Sequence, residues 1–571
     1  MPGRTVTEIE HRYGRRGDEV LDRLRAVREA AGRIEPADVD RIAAELGLPR
    51  AHVNGAASFY ADLGFEPRGR RHVRVCAGTA CFAATGGDGH RETAGALKLE
   101  GDGGEGRPEV SVEPVQCLGY CYGGPAALDG ESPRAGHDLV DQLTGDAPPS
   151  DPEIPFRSAL DDPVVLAGLL GADPDPWTPW REVLAAGDRA RVQHEVLVSG
   201  LRGRGGAGFP AAVKWKSASE SPSEGDRYLI SNGDEGDPGS FVDRLLMESD
   251  PDRVLAGMAL AAHACGANRG LAYVRSEYPR ARESLRAAIA AARERGDLGS
   301  DVHGSGVEFD VEVFEGAGSY VAGEETALIH SVEGLRGEVW ARPPYPTERG
   351  LLHAPTVVNN VETLSAVPWI VAHGGDAYAR LGSGESAGTK VVCLNERFTR
   401  PGAYEVELGA SVRWIVDELG GGVRDRHELR ALQVGGPLGG FLAAADLDVP
   451  LTFEGLRDAG ADLGHGSLVA IDERVGAEAL ARHFWEFAAS ESCGTCTPCR
   501  LGTRHGLELA RRSAGERSAA GRDEMLAAME RGSLCAFGRA VPNVARSIEQ
   551  VYGDGPELPR RTATTPRAEA G

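Results

Sequence analysis

Three cysteines within seven residues, Cys493-Gly494-Thr495-Cys496-Thr497-Pro498-Cys499, answered by Cys535 in Ser533-Leu534-Cys535-Ala536-Phe537-Gly538, constrain this chain more than any other feature. Thiolates at Cys-x2-Cys-x2-Cys spacing on one tight turn, joined by a distant fourth, can ligate a 4Fe-4S cubane. Four thiolates also satisfy tetrahedral zinc, but zinc modules usually space their ligands as two separated pairs, so the spacing favours iron–sulfur. A second group, Cys76-x4-Cys81 and Cys117-x3-Cys121, lies near the other end of the chain. Its two pairs suit a 2Fe-2S rhomb, with zinc as the rival. Eight of the ten cysteines are thereby assigned to metal-compatible groups, while Cys265 and Cys393 sit in apolar runs and read as ordinary buried thiols.

A formal net charge of −24 argues against a nucleic-acid partner, because phosphate backbones are bound by positive faces. The chain opens Met-Pro-Gly-Arg-Thr without the pattern of a secretory signal. Its longest apolar stretch, Val254 to Ala267, is too short to span a bilayer, so a cytoplasmic protein without direct membrane insertion is expected. Reduced thiols fit that compartment. Only Lys98, Lys214, Lys216 and Lys390 are lysines among 62 basic residues, so a lysine inside a motif gains interest.

The pattern predicts a multidomain α+β chain. Residues 1–62 read as helices, with stripes Val20, Leu21, Leu24, Val27 and Val39, Ile42, Ala43, Leu46, and a third through Val53, Ala57 and Tyr60. His72–Cys76 and Val110–Val115 alternate like strands, and each delivers a cysteine pair at its C-terminal end. Residues 131–190, rich in Pro, Asp and Gly, read as a linker or adaptor wrapped on a domain surface. An α/β region over 191–380, a mainly β region over 381–475 and a helical cubane-bearing region over 476–555 follow, with a frayed tail at 556–571.

Gly203-Arg204-Gly205-Gly206-Ala207-Gly208-Phe209-Pro210 contains G-x-G-x-x-G, but the preceding Arg189–Ser199 reads as helix and Pro210 interrupts the helix a Rossmann site needs. What remains is a run of small residues that lets backbone N–H groups approach a phosphate or a flat ring. Three more segments carry chemistry-bearing groups: Asn232-Gly233-Asp234-Glu235-Gly236-Asp237-Pro238-Gly239 after the strand Tyr228-Leu229-Ile230, Gly316 to Thr326 opening a helix, and Val357-Val358-Asn359-Asn360-Val361-Glu362-Thr363. Each alone reads as a cap or Asx turn; together, upstream of a cubane, they point to a cofactor site at strand ends.

On these motifs, with Gly323-Glu324-Glu325-Thr326-Ala327-Leu328 and Glu491-Ser492-Cys493, residues 195–550 resemble the NADH-binding flavoprotein subunit of respiratory complex I and its soluble diaphorase relatives. Residues 1–130, through Ser58-Phe59-Tyr60 and Cys117-Leu118-Gly119-Tyr120-Cys121, resemble the thioredoxin-like 2Fe-2S partner subunit, so two usually separate subunits are fused. The resemblance implies a thioredoxin-like domain, an FMN/NAD(H) domain, a β-grasp-like domain over 381–475 and a helical 4Fe-4S domain. It further implies that Gly203, Gly205, Lys214, Asn232, Asp234, Glu325, Asn359, Asn360 and Thr363 surround FMN, and that Gly323 belongs to the cofactor-binding set. By the same resemblance Phe209, Asp237, Tyr320, Glu324 and Tyr345 are expected toward the dinucleotide, and Glu235 toward either ligand. Glu325 and Tyr320 are the candidates nearest the hydride step, in which FMN carries the chemistry and the protein positions it. Ser217 stands where an aromatic is usual, Arg342 where lysine is, Tyr345 where phenylalanine is, and Asp237 where glutamate is frequent. NADH is expected over NADPH, with Arg342 counting against that preference. The fusion suggests a soluble NAD-linked complex whose catalytic partner is a molybdenum or tungsten formate dehydrogenase subunit, then a nickel–iron hydrogenase, then complex I. The reading from a different class is a redox-silent scaffold holding zinc.

Overall fold

The computed structural model describes residues 19–87, 89–98, 108–173, 175–223, 225–512 and 519–553. The expected frayed tail and the start of the chain lie outside the described residues.

The N-terminal stripes form the helices Val20–Ala31, Pro36–Leu46 and Arg50–Phe59. Glu35 and Asp38 form a reciprocal capping box at the second, and Gly47 closes it in the left-handed region at φ 66°. Val20, Leu24, Val39, Ile42 and Val53 share one small core with Ala317 of the flavin-domain loop. The three helices are therefore packed onto that loop.

Both predicted cysteine-bearing strands are present. Arg71–Cys76 pairs parallel to Val110–Val115 and antiparallel to Ala126–Asp129, and Ser132–Ala135 completes a four-stranded sheet. Here the structure departs from the sequence reading of 131–190 as a surface linker. Ser132–Ala135 is a strand of this sheet, and the helix Leu139–Thr144 buries Leu139 and Leu143 against Val73, Val75 and Leu97. Phe156–Ser158 adds an edge to a different sheet, while Trp177 and Trp180 are buried in the main core. Pro and Asp marked the bends correctly; the intervening apolar residues are too few and too irregular to show a period, yet each finds a core.

The α/β region centres on four parallel strands in the order Asp310–Glu315, Arg269–Val274, Tyr228–Gly233, Thr356–Asn360. Strands buried on both faces read as apolar runs, and the helices Pro251–Cys265 and Pro279–Arg295 supply the cover. Their carboxyl ends place Asn232, Arg275, Gly316 and Asn360 along one edge, where open α/β sheets bind ligands.

A mixed six-stranded sheet follows, with Thr389–Leu394 and Ser467–Asp472 at its centre. It is joined to the flavin domain by a fully buried ion pair between Lys390 and Glu362, and Glu362 also accepts from Val391 N at 2.8 Å. Among the described residues the helices Ala477–Glu491, Thr497–Arg511, Ala519–Gly532 and Ala536–Tyr552 follow. Among the described residues no helix is long and apolar enough to cross a membrane.

Candidate functional site

The glycine-rich loop runs between the helices Arg189–Val198 and Ala211–Glu220, with no strand feeding it, which removes the Rossmann reading. Gly206 and Gly208 take φ of +114° and +62°, and a Cβ on Gly205 would fall 2.9 Å from Asn360 Cβ. A side chain there would close the loop onto the strand end. Two bonds hold the loop and its helix against the strand Thr356–Asn360 and the helix Val361–Ser365 that follows it: Arg204 N donates to Thr363 Oγ1 at 2.8 Å, and Trp215 Nε1 donates to Asn359 Oδ1 at 2.8 Å. Asn360 caps the next helix, accepting from Thr363 N at 3.2 Å.

Lys214 lies between Glu325 (2.9 Å) and the Val358 carbonyl (3.1 Å). Burial alone would raise the Glu325 pKa, yet the charges of Lys214 and Arg342 hold it below the usual range. Arg342 bridges Glu324 and Glu325, and Glu324 caps the helix Glu325–Val332 through Thr326 N and Ala327 N. The Arg342 charge is thereby committed to two carboxylates.

At the end of the strand Tyr228–Gly233, Asn232 donates to Gly323 O at 2.9 Å and accepts from Asp234 N at 3.0 Å. Asp234 Oδ2 is buried without a hydrogen-bond partner in the protein. Burial lifts the Asp234 pKa to about 8, opposed by Arg275 and reinforced by Glu277, Glu491 and Asp237. Asp237 accepts from Tyr320 OH at 2.5 Å. Phe209 and Tyr345, at 49% and 51% exposure, are the open rings of this region, and the helices following them meet through Ser217 Oγ and Thr347 Oγ1 at 2.9 Å.

Glu235 is the expected site residue that the structure turns away from the others. Its carboxylate accepts from Ser240 Oγ (2.7 Å), Asp243 N (3.0 Å) and Arg244 N (2.9 Å), fully buried at the start of the helix Val242–Ser249. A free acid next to Asp234 in sequence looks like a ligand-facing group; the close helix N-terminus claims it instead.

The four C-terminal cysteines converge on one pocket shared with Val321, Val339 and Phe537. Burial pushes Cys499 up to about 12 and Cys535 to about 11, so both thiols are neutral until a metal draws off their protons. The N-terminal set is buried throughout, with Cys117 Sγ 3.6 Å from Cys121 Sγ. Gly119 N and Gly239 N donate to Cys117 and Cys121 at 3.3 and 3.2 Å, the kind of bond that tunes a cluster.

Two loops join these centres. Asn232–Gly239 begins at the glycine-rich site and ends on Cys121, and Arg244 behind it stacks over Tyr120 at 3.9 Å. Gly316–Glu324 carries Tyr320, whose N–H donates to Glu491 Oε2 at 3.1 Å and whose ring packs 5.9 Å from Phe537 beside the cubane cysteines. These residues fit FMN: a glycine-rich loop, a lysine, paired amides and one buried acid with an unpaired oxygen. Bound there, FMN supplies the exchange between two-electron and one-electron chemistry. Sequence reasoning did not foresee Gly239 on Cys121 or Arg275 beside Asp234, because each acts through a partner distant in the chain.

Fold and site together define a class: a multidomain protein whose two four-cysteine groups are joined by loops to one glycine-rich, strand-end site, as in flavin and iron–sulfur electron-transfer proteins. Residues 196–369 match the Nuo51 FMN-binding domain, 6–138 the thioredoxin-like 2Fe-2S ferredoxin, and 479–556 the NADH-ubiquinone oxidoreductase-F iron–sulfur binding region. The NADP-reducing hydrogenase subunit HndC of Solidesulfovibrio fructosivorans is 42% identical over 369 residues, 64% of this chain and 75% of that one. A NADH-quinone oxidoreductase subunit of Escherichia coli K12 is 42% identical over 331 residues, 58% of this chain and 74% of its own length. A solved NAD+-reducing NiFe hydrogenase chain, air-oxidised, aligns at TM-score 0.79 and 31% identity over 93% of both chains. The chain belongs to the family of NADH-oxidising flavoprotein subunits of complex I and NAD-reducing hydrogenases, with FMN-, 2Fe-2S- and 4Fe-4S-binding domains.

Asp234 makes the stability of this site depend on pH. Its folded pKa lies above the unfolded value of about 3.9, so its favourable contribution is complete below pH 4 and is lost as pH rises toward 8. In FMN-free protein, Asp234→Asn removes that loss. The variant is expected to gain on wild type by about 2–3 kcal/mol between pH 5 and 7, one proton's slope. Parallel melting curves across that range show equal slopes if Asp234 is ionised throughout.

Proposed function

We propose that this chain is the diaphorase module of a cytoplasmic complex, passing hydride between NAD(H) and FMN and single electrons between FMN and its two clusters. The observation that carries this reading is the pair of shared loops: Asn232–Gly239 touches both the cleft and Cys121, and Gly316–Glu324 touches both the cleft and the cubane wall. In this reading Phe209, Tyr320 and Tyr345 receive the dinucleotide, while Lys214, Asn232, Asp234, Asn359, Asn360 and Thr363 hold FMN.

The partner is a separate catalytic subunit. The sequence reading placed a formate dehydrogenase first on domain layout alone. That fused layout is equally the layout of the NAD+-reducing NiFe hydrogenase chain, which aligns over nearly its whole length, and this supports a hydrogenase-type partner first. Arg342 is committed to Glu324 and Glu325, which supports NADH over NADPH. Anaerobic purification from the native cell tests the proposal. The preparation should contain flavin, iron and labile sulfide, reduce ferricyanide faster with NADH than with NADPH, and carry a nickel subunit. A molybdenum or tungsten subunit overturns the partner, and zinc without flavin overturns the module.

A further inference from the structure

A turn in the mixed sheet brings a histidine beneath the flavin-domain edge. Gly464 and Gly466 both take positive φ (+50° and +79°), and Gly466 N closes the turn on Leu463 O at 2.9 Å. A Cβ on Gly464 would fall 2.0 Å from Gly435 O, and one on Gly466 would fall 2.4 Å from Lys390 Cε. Both glycines take backbone conformations that L side chains rarely adopt, so the turn is specific to this Gly-His-Gly sequence. The turn also abuts the glycine-rich loop: a Cβ on Gly206 would meet the Gly464 backbone at 3.8 Å.

His465 points inward, 5% exposed. Its Nε2 lies 3.0 Å from Asp243 Oδ2 and its Nδ1 lies 3.9 Å from Glu235 Oε1. Asn360 closes the group. Its Oδ1 is committed to Thr363 N, which fixes the amide, so Nδ2 is the atom that donates to Asp243 Oδ2 at 2.6 Å, 3.0 Å from His465 Nε2. Asp243 Oδ1 accepts from Glu362 N at 3.2 Å, which ties the same acid to the next helix. Two carboxylates are thus buried together, and among the described residues His465 is the cationic side chain paired with them. Buried charge without a counter-charge is strongly destabilising, and a ring with both nitrogens facing carboxylates supplies one when it holds two protons.

We propose that His465 is a positioning residue for the flavin site: a buried imidazolium that holds Asp243 and, through it, the Asn360 amide, and that offsets negative charge beneath the cleft. The inference rests on the assignment of Asn360 and the glycine-rich loop to FMN. The groups facing His465 are Asp243, Glu235, Lys390 and, farther off, Asp237. Burial lowers its pKa, and Asp243 and Glu235 overcome this and raise it to about 9, with Lys390 opposing. Folded-state protonation therefore persists through neutral pH and is lost above about 9.

The test uses the full chain with both clusters and FMN in place. In His465→Gln, which keeps an amide donor for Asp243 and removes the charge, oxidised flavin should be favoured over reduced by about tenfold, a fall of about 30 mV for a two-electron couple. Wild type should also show a change of slope in flavin potential near pH 9 that the variant lacks. A folded, FMN-loaded variant with unchanged potential overturns the proposal. If the variant does not fold, a wild-type potential free of any inflection between pH 7 and 10 overturns it equally. FMN content and bleaching by NADH are read separately: their loss in wild type would count against the flavin assignment, not against the histidine.

Discussion

Cys535→Ser is expected to strip the iron and labile sulfide of the cubane and reduce electron delivery to the partner subunit to background, while NADH still bleaches the flavin. The separation follows from how Cys535 is used. It is the N-cap of the helix Ala536–Tyr552, and serine is a favourable residue at that position, so the helix should survive the change. Phe537 then stays packed on Tyr320 and Phe487, and the wall that the cluster domain lends to the cleft persists. Glu491 likewise keeps its bond from Tyr320 N. Iron and flavin analysis of one anaerobic preparation, with stopped-flow absorbance on mixing with NADH, measures both halves. Loss of flavin along with iron would show that the cluster itself, rather than its helices, holds the cleft in shape.

The second large effect is on stability. Lys390→Met leaves Glu362 charged at 0% side-chain exposure, and breaking a buried pair by removing one partner costs about 3–5 kcal/mol. The apparent Tm of the flavin and mixed-sheet unit should drop by about 10 °C, from roughly 2–4 °C per kcal/mol for a unit of this size. Glu362→Gln in the same chain retains an acceptor for Val391 N and removes the stranded charge, so the double variant should recover most of the loss. Calorimetry of the four proteins of that cycle decides it. If the double variant melts no higher than Lys390→Met alone, charge burial is not the cause.

These residues show how far reading the chain could go. Lys390 drew notice only as one lysine among very few; its partner Glu362 sits in the amide-bearing motif, and only the packing of the mixed sheet on the flavin domain joins them. His465 left no signal beyond a Gly-His-Gly turn. Glu235 looked like a ligand group because it stands in the strand-end motif; the helix Val242–Ser249 turns it inward, and nothing in the order of residues announces where that helix starts in space. The stretch 131–190 looked like a linker because Pro and Asp dominate its composition, yet Leu139, Leu143, Trp177 and Trp180 each reach a core. By contrast, the four-cysteine groups, the strands feeding them and the strand-end motifs were legible. Each depends on spacing or alternation within a few residues, which covalent geometry enforces directly.

The order of residues by itself determined the two metal-binding cysteine groups and the helix and strand identities around them, because thiolate spacing and side-chain period act over one turn or one strand. Tertiary structure alone decided which groups meet: Gly239 on Cys121, Tyr320 against Phe537, and His465 under Asn360. Each of those contacts links residues more than 100 positions apart. Such pairings are chosen by burial and charge compensation over the whole fold, and no local pattern encodes them.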